Sequence, residues 1–127
     1  MELNNNSGQL ESAQRLVKSV QDFYSTFTVE SISRLDEFYT QDVEFIDPVH
    51  NLNGSLGLKS YLRKLAGDLK HYSIRYTNQL IGGDSAYLSW EMEYAHAKIE
   101  SGRILTIQGM SHLKFSTKVF YHEDSYD

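Results

Sequence analysis

The stretch Tyr72–Phe115, YSIRYTNQLIGGDSAYLSWEMEYAHAKIESGRILTIQGMSHLKF, decides the fold. Apolar and polar residues alternate along it with period 2, the pattern of strands that bury one face. Two breaks, Gly82-Gly83-Asp84 and Glu100-Ser101-Gly102, supply the residue types that hairpin turns use. Three long strands are therefore expected: Tyr72 to Ile81, Ser85 to Lys98, and Arg103 to Phe115. A shorter one follows over Lys118 to Asp124. Strands this long twist and cannot stay flat.

Upstream the period is 3.6. Leu10, Ala13, Leu16, Val17, Val20, Phe23, Tyr24 and Phe27 recur at three- and four-residue spacing, which predicts an amphipathic helix. Thr28 is placed to cap a second helix, with Ile32, Leu35, Phe38 and Tyr39 as its buried stripe. Val43 to Ile46 reads as a brief strand stopped by Asp47-Pro48, since proline cannot donate to a ladder. A loop through His50, Asn51, Asn53 and Gly54 leads to a third helix presenting Leu58, Tyr61, Leu62 and Leu65. Residues 1–9 are polar and are expected to be a flexible lead-in. No repeat or linker divides the chain, so residues 1–127 are expected to form a single domain. The architecture implied is α+β, three N-terminal helices packed on a curved antiparallel sheet. A curved sheet closed by a helix leaves a pocket between them.

Composition narrows the chemistry. The chain has no cysteine, which excludes disulfides, thiolate nucleophiles and Cys-based metal sites. A formal net charge of −5 argues against a nucleic-acid partner, and Lys59, Arg63, Lys64 and Lys70 read as the wet face of the third helix. The N-terminus has no signal-peptide pattern, and no apolar run nears about eighteen residues. A cytoplasmic protein without a membrane partner is expected. Nine Tyr, six Phe and one Trp are a heavy load for 127 residues, and such rings line cavities as well as cores.

The segment Asp42-Val43-Glu44-Phe45-Ile46-Asp47-Pro48-Val49, with Gly54 beyond it, resembles the bacterial ketosteroid isomerases and the SnoaL-like polyketide cyclases. These share the cone-shaped nuclear-transport-factor-2-like fold. The likeness runs from about Leu16 onward, with Met92-Glu93-Tyr94 and Met110-Ser111-His112-Leu113-Lys114-Phe115 falling where related strands fall. The resemblance puts Asp47 at the isomerases' general base. It also implies two oxyanion donors, a tyrosine on the first helix and a protonated aspartate on the third long strand. Phe23 stands at the tyrosine's spacing, with Tyr24 turned about 100° round the helix, and Ser111 replaces the aspartate. Each such donor is worth roughly 3–4 kcal/mol in the transition state, so literal ketosteroid isomerisation is disfavoured. Limonene-type epoxide hydrolases are a second point of likeness. They carry an Arg-x-Asp unit where this chain has Trp90 and Met92, and that activity is disfavoured too. SnoaL-like cyclases use an aspartate on a late strand, which makes Asp124 a candidate by resemblance.

Alternation assigns faces. Leu88, Trp90, Met92, Tyr94 and His96 share the inner face of one strand. On the next strand the resemblance, by setting Ser111 at the isomerases' inward position, implies that Leu105, Ile107, Gly109, Ser111 and Leu113 face inside, leaving Gln108, Met110 and His112 outside. Phe120, His122 and Asp124 are expected to look inward from the last. The candidate catalytic residues are Asp47, Asp124 and His122. The candidate pocket residues are Phe23, Tyr24, Phe45, Tyr61, Trp90, Met92, Tyr94, Ser111 and Phe120. Simpler readings stand beside these: Asp47 as a turn residue bonding its own backbone, Asp124 as a polar strand end, His122 as a satisfied edge histidine. No metal spacing is present, and no cofactor is expected.

Three functions fit. The first is a small cofactor-independent acid–base enzyme acting on a moderately hydrophobic molecule. The second is a binding domain without chemistry. The third is an interaction module, since relatives commonly form homodimers through the outer sheet face. Fold alone does not choose among them.

Overall fold

A stripe of small and apolar side chains at helical spacing organises the N-terminal third. In the computed structural model, which describes residues 2–127 and side chains from Ser7 onward, α1 spans Glu2–Ser25. It therefore takes in most of the polar stretch expected to be a lead-in, of which Met1 lies outside the described residues. Ala13, Val17, Val20 and Phe23 are buried along one face of α1. Burying side chains of the Val or Phe size contributes roughly 1.5–3 kcal/mol each, so this stripe fixes the helix on the sheet.

Thr28 caps α2 (Val29–Ile32): its hydroxyl accepts from the Ser31 amide at 3.1 Å, and the Ser31 hydroxyl accepts from the Thr28 amide at 3.0 Å. The expected second helix then breaks. A 3-10 turn at Leu35–Glu37 follows, and Tyr39 already belongs to a strand. All four residues of the expected stripe, Ile32, Leu35, Phe38 and Tyr39, are nonetheless buried. Pairing of Tyr39 with Val119 in the sheet overrides the local helical period.

β1 is accordingly longer than the sequence suggests, Tyr39–Ile46, and the expected loop contains a short strand, β2 (Asn51–Asn53), antiparallel to it. Gly54 has φ +93°, a left-handed backbone that an L side chain resists, and its amide donates to the Val43 carbonyl at 2.7 Å. That turn launches α3 (Ser55–Asp68), which buries Leu58 and Leu62. The remaining strands are β3 (Leu69–Ile81), β4 (Ser85–His96), β5 (Leu105–Phe115) and β6 (Val119–Tyr126).

The sheet order is β2-β1-β6-β5-β4-β3. β1 and β6 run parallel, and every other neighbouring pair is antiparallel. The helices cover the concave side of this sheet and share with it one contiguous core. Among the described residues no helix is long and apolar enough to cross a membrane.

One inward assignment is corrected. Phe120 is 45% exposed, while Val119 and His122 are buried. β5 and β6 pair Phe115 with Val119 but Lys114 with Tyr121, so Phe120 is an extra residue in a bulge. A bulge reverses the alternation, which strict period 2 carried through unbroken.

Candidate functional site

The helices and the curved sheet enclose a cavity of about 250 Å³. α1 contributes Tyr24, and α3 contributes Tyr61, Leu62 and Leu65. Phe45 and Asp47 enter from the end of β1. β3 supplies Tyr72, Ile74 and Tyr76 by strict alternation, and β4 supplies Trp90, Met92, Tyr94 and His96 in the same way. Ile107 and Ser111 come from β5, and His122, Asp124 and Tyr126 from β6.

Two expected wall residues lie elsewhere. Phe120 is outside for the reason given. Phe23 stays with the α1 core stripe, packed against Phe38 at 5.1 Å, and does not line the cavity. Tyr24 does. The helix is rotated by one residue from the register that the isomerase resemblance implied, which returns a tyrosine to the cavity wall.

Its hydroxyl is already engaged. Tyr24 Oη lies 2.8 Å from Tyr39 Oη, and Tyr39 Oη lies 2.6 Å from His122 Nδ1. On the other side of the imidazole, Nε2 is 2.8 Å from Asp124 Oδ1. A second chain reaches the same oxygen: Trp90 Nε1 donates to Ser111 Oγ at 2.9 Å, and Ser111 Oγ donates to Asp124 Oδ1 at 2.5 Å. One assignment of protons satisfies every group. Tyr24 donates to Tyr39, Tyr39 donates to Nδ1, and a neutral His122 donates from Nε2 to Asp124. The opposite direction would require a charged imidazole or a protonated Asp124, and it leaves the Tyr24 hydroxyl proton without an acceptor among the described residues. Both chains therefore end on Asp124 Oδ1, while Asp124 Oδ2 makes no hydrogen bond with the described residues.

Asp47 is only 8% exposed, and its carboxylate is largely committed to its own loop. Oδ1 accepts from the amides of Val49 at 2.9 Å and His50 at 2.7 Å, and His50 Nδ1 lies 3.1 Å away. This is the turn geometry that the simpler reading of Asp47 describes. Its Oδ2 faces the cavity with a long 3.5 Å contact to Tyr61 Oη.

The tyrosines respond to this setting. Burial, above all, raises Tyr24 and Tyr39 well above the usual phenol range, and the Asp124 charge pushes the same way. Tyr61, Tyr72, Tyr76 and Tyr126 are raised too, burial again leading. These phenols are neutral hydrogen-bond donors and not bases. In the unfolded chain they ionise near pH 10, roughly the free value. Stability from their retained protons is thus complete below that pH and is lost as pH rises toward the folded values. Each retained proton steepens the loss by about 1.4 kcal/mol per pH unit. Alkaline unfolding is expected to be cooperative, with tyrosinate absorbance and loss of circular dichroism rising together. Tyrosinate absorbance saturating while the dichroism stays native would contradict it.

Trp90 forms the floor of the cavity because Gly109 lies beneath it. A Cβ at Gly109 would sit 2.3 Å from the indole Cη2. Several residues that matter here escaped the sequence reading. Tyr39 was absorbed into a helical stripe. Tyr72 and Tyr76 carry a usable signal, since they alternate with Ile74 on one strand face. Tyr126 lies past the expected end of the last strand.

Comparison with known proteins agrees with this architecture. A putative SnoaL-like polyketide cyclase from Jannaschia sp. CCS1 superposes with a TM-score of 0.77 at 11% identity, covering 91% of this chain and 87% of the other. A putative SnoaL-like polyketide cyclase from Shewanella putrefaciens CN-32 gives 0.76 at 18% identity, covering 91% and 89%. An NTF2-like protein of unknown function from Burkholderia pseudomallei gives 0.75 at 13% identity, covering 88% and 90%. The fold is thus the nuclear-transport-factor-2-like cone. The SnoaL-like domain family model matches residues 20–119, and the chain belongs to that family. No curated protein matches it by sequence.

Proposed function

We propose that this domain is a small cofactor-independent acid–base catalyst acting on a moderately hydrophobic molecule, with Asp124 as the proton carrier. One observation carries the reading: Asp124 Oδ1 is held by two convergent donors, while Oδ2 has no hydrogen-bond partner among the described residues and stands on the wall of an apolar cavity. A general base needs that combination of fixed orientation and a free lone pair. His122 has both ring nitrogens engaged, so its part is to orient Asp124 and not to meet the ligand. The SnoaL-like membership supports a cyclase- or isomerase-type site.

The test is deuterium wash-in at the α-carbons of 2-indanone, a carbon acid that stays neutral at neutral pH, followed by NMR. Saturable acceleration over buffer by the wild type, absent in Asp124→Asn, is the expected result. Equal rates in the two proteins would overturn the assignment.

One observation favours a ligand-binding domain without chemistry as the second reading. The α1 tyrosine at the wall, Tyr24, spends its hydroxyl on Tyr39, Ser111 spends its proton on Asp124, and the α3 tyrosine, Tyr61, points its hydroxyl at Asp47. No preformed oxyanion donor pair remains from the isomerase pattern. Absence of wash-in with retained ligand binding would select it.

We also infer a homodimer through the outer sheet face. Tyr87 and Met110 project from that face at 43% and 44% exposure, and the bulge adds Phe120 to the exposed apolar side chains. Sedimentation is expected to give twice the chain mass, and Met110→Lys to give one. A monomeric wild type would refute it.

A further inference from the structure

The charge of the cavity wall is unbalanced. Its lining contains two carboxylates, Asp47 and Asp124, and neither lysine nor arginine. The two histidines do not compensate. His122 is spent between Tyr39 and Asp124 in its neutral form. At the rim, His96 Nδ1 accepts from the Lys98 amide at 3.1 Å, which leaves its proton on Nε2, 3.5 Å from Asp68. Asp47 is nine-tenths buried and is paired with His50 outside the lining, whose Nδ1 lies 3.1 Å from Oδ1 and 3.3 Å from Oδ2. Its Oδ2 has a further 3.5 Å contact to Tyr61 Oη. Around these carboxylates stand the rings of Tyr72, Tyr76, Tyr94, Tyr126 and Trp90.

We propose that the cavity takes a hydrophobic amine in its ammonium form, seated among the aromatic faces with its N–H directed to Asp124 Oδ2. An anion would meet the open oxygen of Asp124 with no lysine or arginine in the lining to offset it, and the one imidazole beside Asp47 is already turned to that carboxylate. A neutral apolar ligand would bury Asp124 Oδ2 without a partner, which is costly for a charged oxygen. An ammonium supplies the missing charge and the missing donor. The surrounding rings attract it through their negative faces, as in aromatic cages for substituted ammonium groups. The sign of the interior field agrees: the Asp124 charge is among the causes that raise Tyr61, Tyr72, Tyr76 and Tyr126. This names the substrate class of the site described above and rests on Asp124 being its ionised, cavity-facing carboxylate.

Three soluble probes of similar size test it at neutral pH: N,N-dimethylbenzylamine, which is protonated there, N,N-dimethylbenzamide, which is neutral, and phenylacetate, which is anionic. Trp90 is the only tryptophan and lies on the cavity wall, so its fluorescence reports binding directly, with calorimetry as a check. The ammonium is expected to bind roughly tenfold or more tighter than the amide, with phenylacetate undetectable. Asp124→Asn is expected to bring the ratio of amine to amide affinity close to one. An amide that binds as well as the amine, a preference for phenylacetate, or no binding by any of the three would overturn the proposal. So would an amine preference that survives Asp124→Asn. The acid–base reading has a separate readout. Wash-in lost in Asp124→Asn without amine preference leaves that reading standing, and amine preference without wash-in does the reverse.

Discussion

Asp124→Asn is expected to slow carbon-acid exchange by roughly 10²–10⁴-fold, the usual contribution of a positioned general base. Asparagine keeps the shape and an oxygen that can still accept from Ser111 and His122, but its amide nitrogen cannot take a proton. Both donors remain satisfied, so the fold is expected to lose only about 1 kcal/mol, the difference between charged and neutral acceptors. The split between a large rate effect and a small shift in Tm separates a catalytic group from a structural one. Asp47→Asn is the informative comparison, because Asp47 Oδ1 serves its own loop through Val49 and His50. Its rate is expected to stay within about tenfold of wild type. A collapse of exchange in Asp47→Asn, with Asp124→Asn unaffected, would move the base to the isomerase position.

Gly109→Ala is expected to destabilise the domain by roughly 2–4 kcal/mol, from overpacking and the loss of one buried hydrogen bond. The added Cβ would fall 2.3 Å from Trp90 Cη2 and 2.5 Å from Cζ2. The indole cannot slide away freely, because Nε1 is tied to Ser111. It must either break that bond or swing into the cavity. Urea unfolding measures the cost, and Trp90→Phe in the Gly109→Ala background supplies the cycle. A smaller ring relieves the clash, so the two substitutions are expected to be strongly non-additive. Additive losses would mean that the ring and the glycine are not in the contact described.

Much of this protein was legible in its sequence, for identifiable reasons. Period 2 in Ser85–Lys98 placed Trp90, Met92 and Tyr94 on one face, and the structure puts all three on the cavity wall. The capping role of Thr28 rests on local chemistry that needs no tertiary context. The failures share a cause as well. Tyr39 satisfies a helical stripe and a strand equally, and only its partner Val119, far along the chain, decides between them. The Phe120 bulge is invisible to any count of alternation, since one extra residue leaves no compositional trace. Phe23 and Tyr24 are both inward-facing, one to the core and one to the cavity, and a helical period cannot say which neighbour meets the void. The hydrogen-bonded chain onto Asp124 draws on α1, β1, β4, β5 and β6, and no sequence window contains it.

The parallel seam between β1 and β6 has a consequence for how the domain is made. Tyr39 and His122, 83 positions apart, meet across it, and the carboxylate proposed as the base sits on the later strand. Closing so long a loop costs entropy before any contact rewards it, and topologies rich in such contacts fold slowly. During synthesis the hairpins of β3, β4 and β5 can pair as they emerge, while the edges of β1 and β5 stay open until β6 arrives between them. Open edges invite other chains. The arrival of β6 therefore closes the two inner edges and delivers Asp124 in one step, so that a chain with an assembled site has also joined β1 to the rest of its sheet.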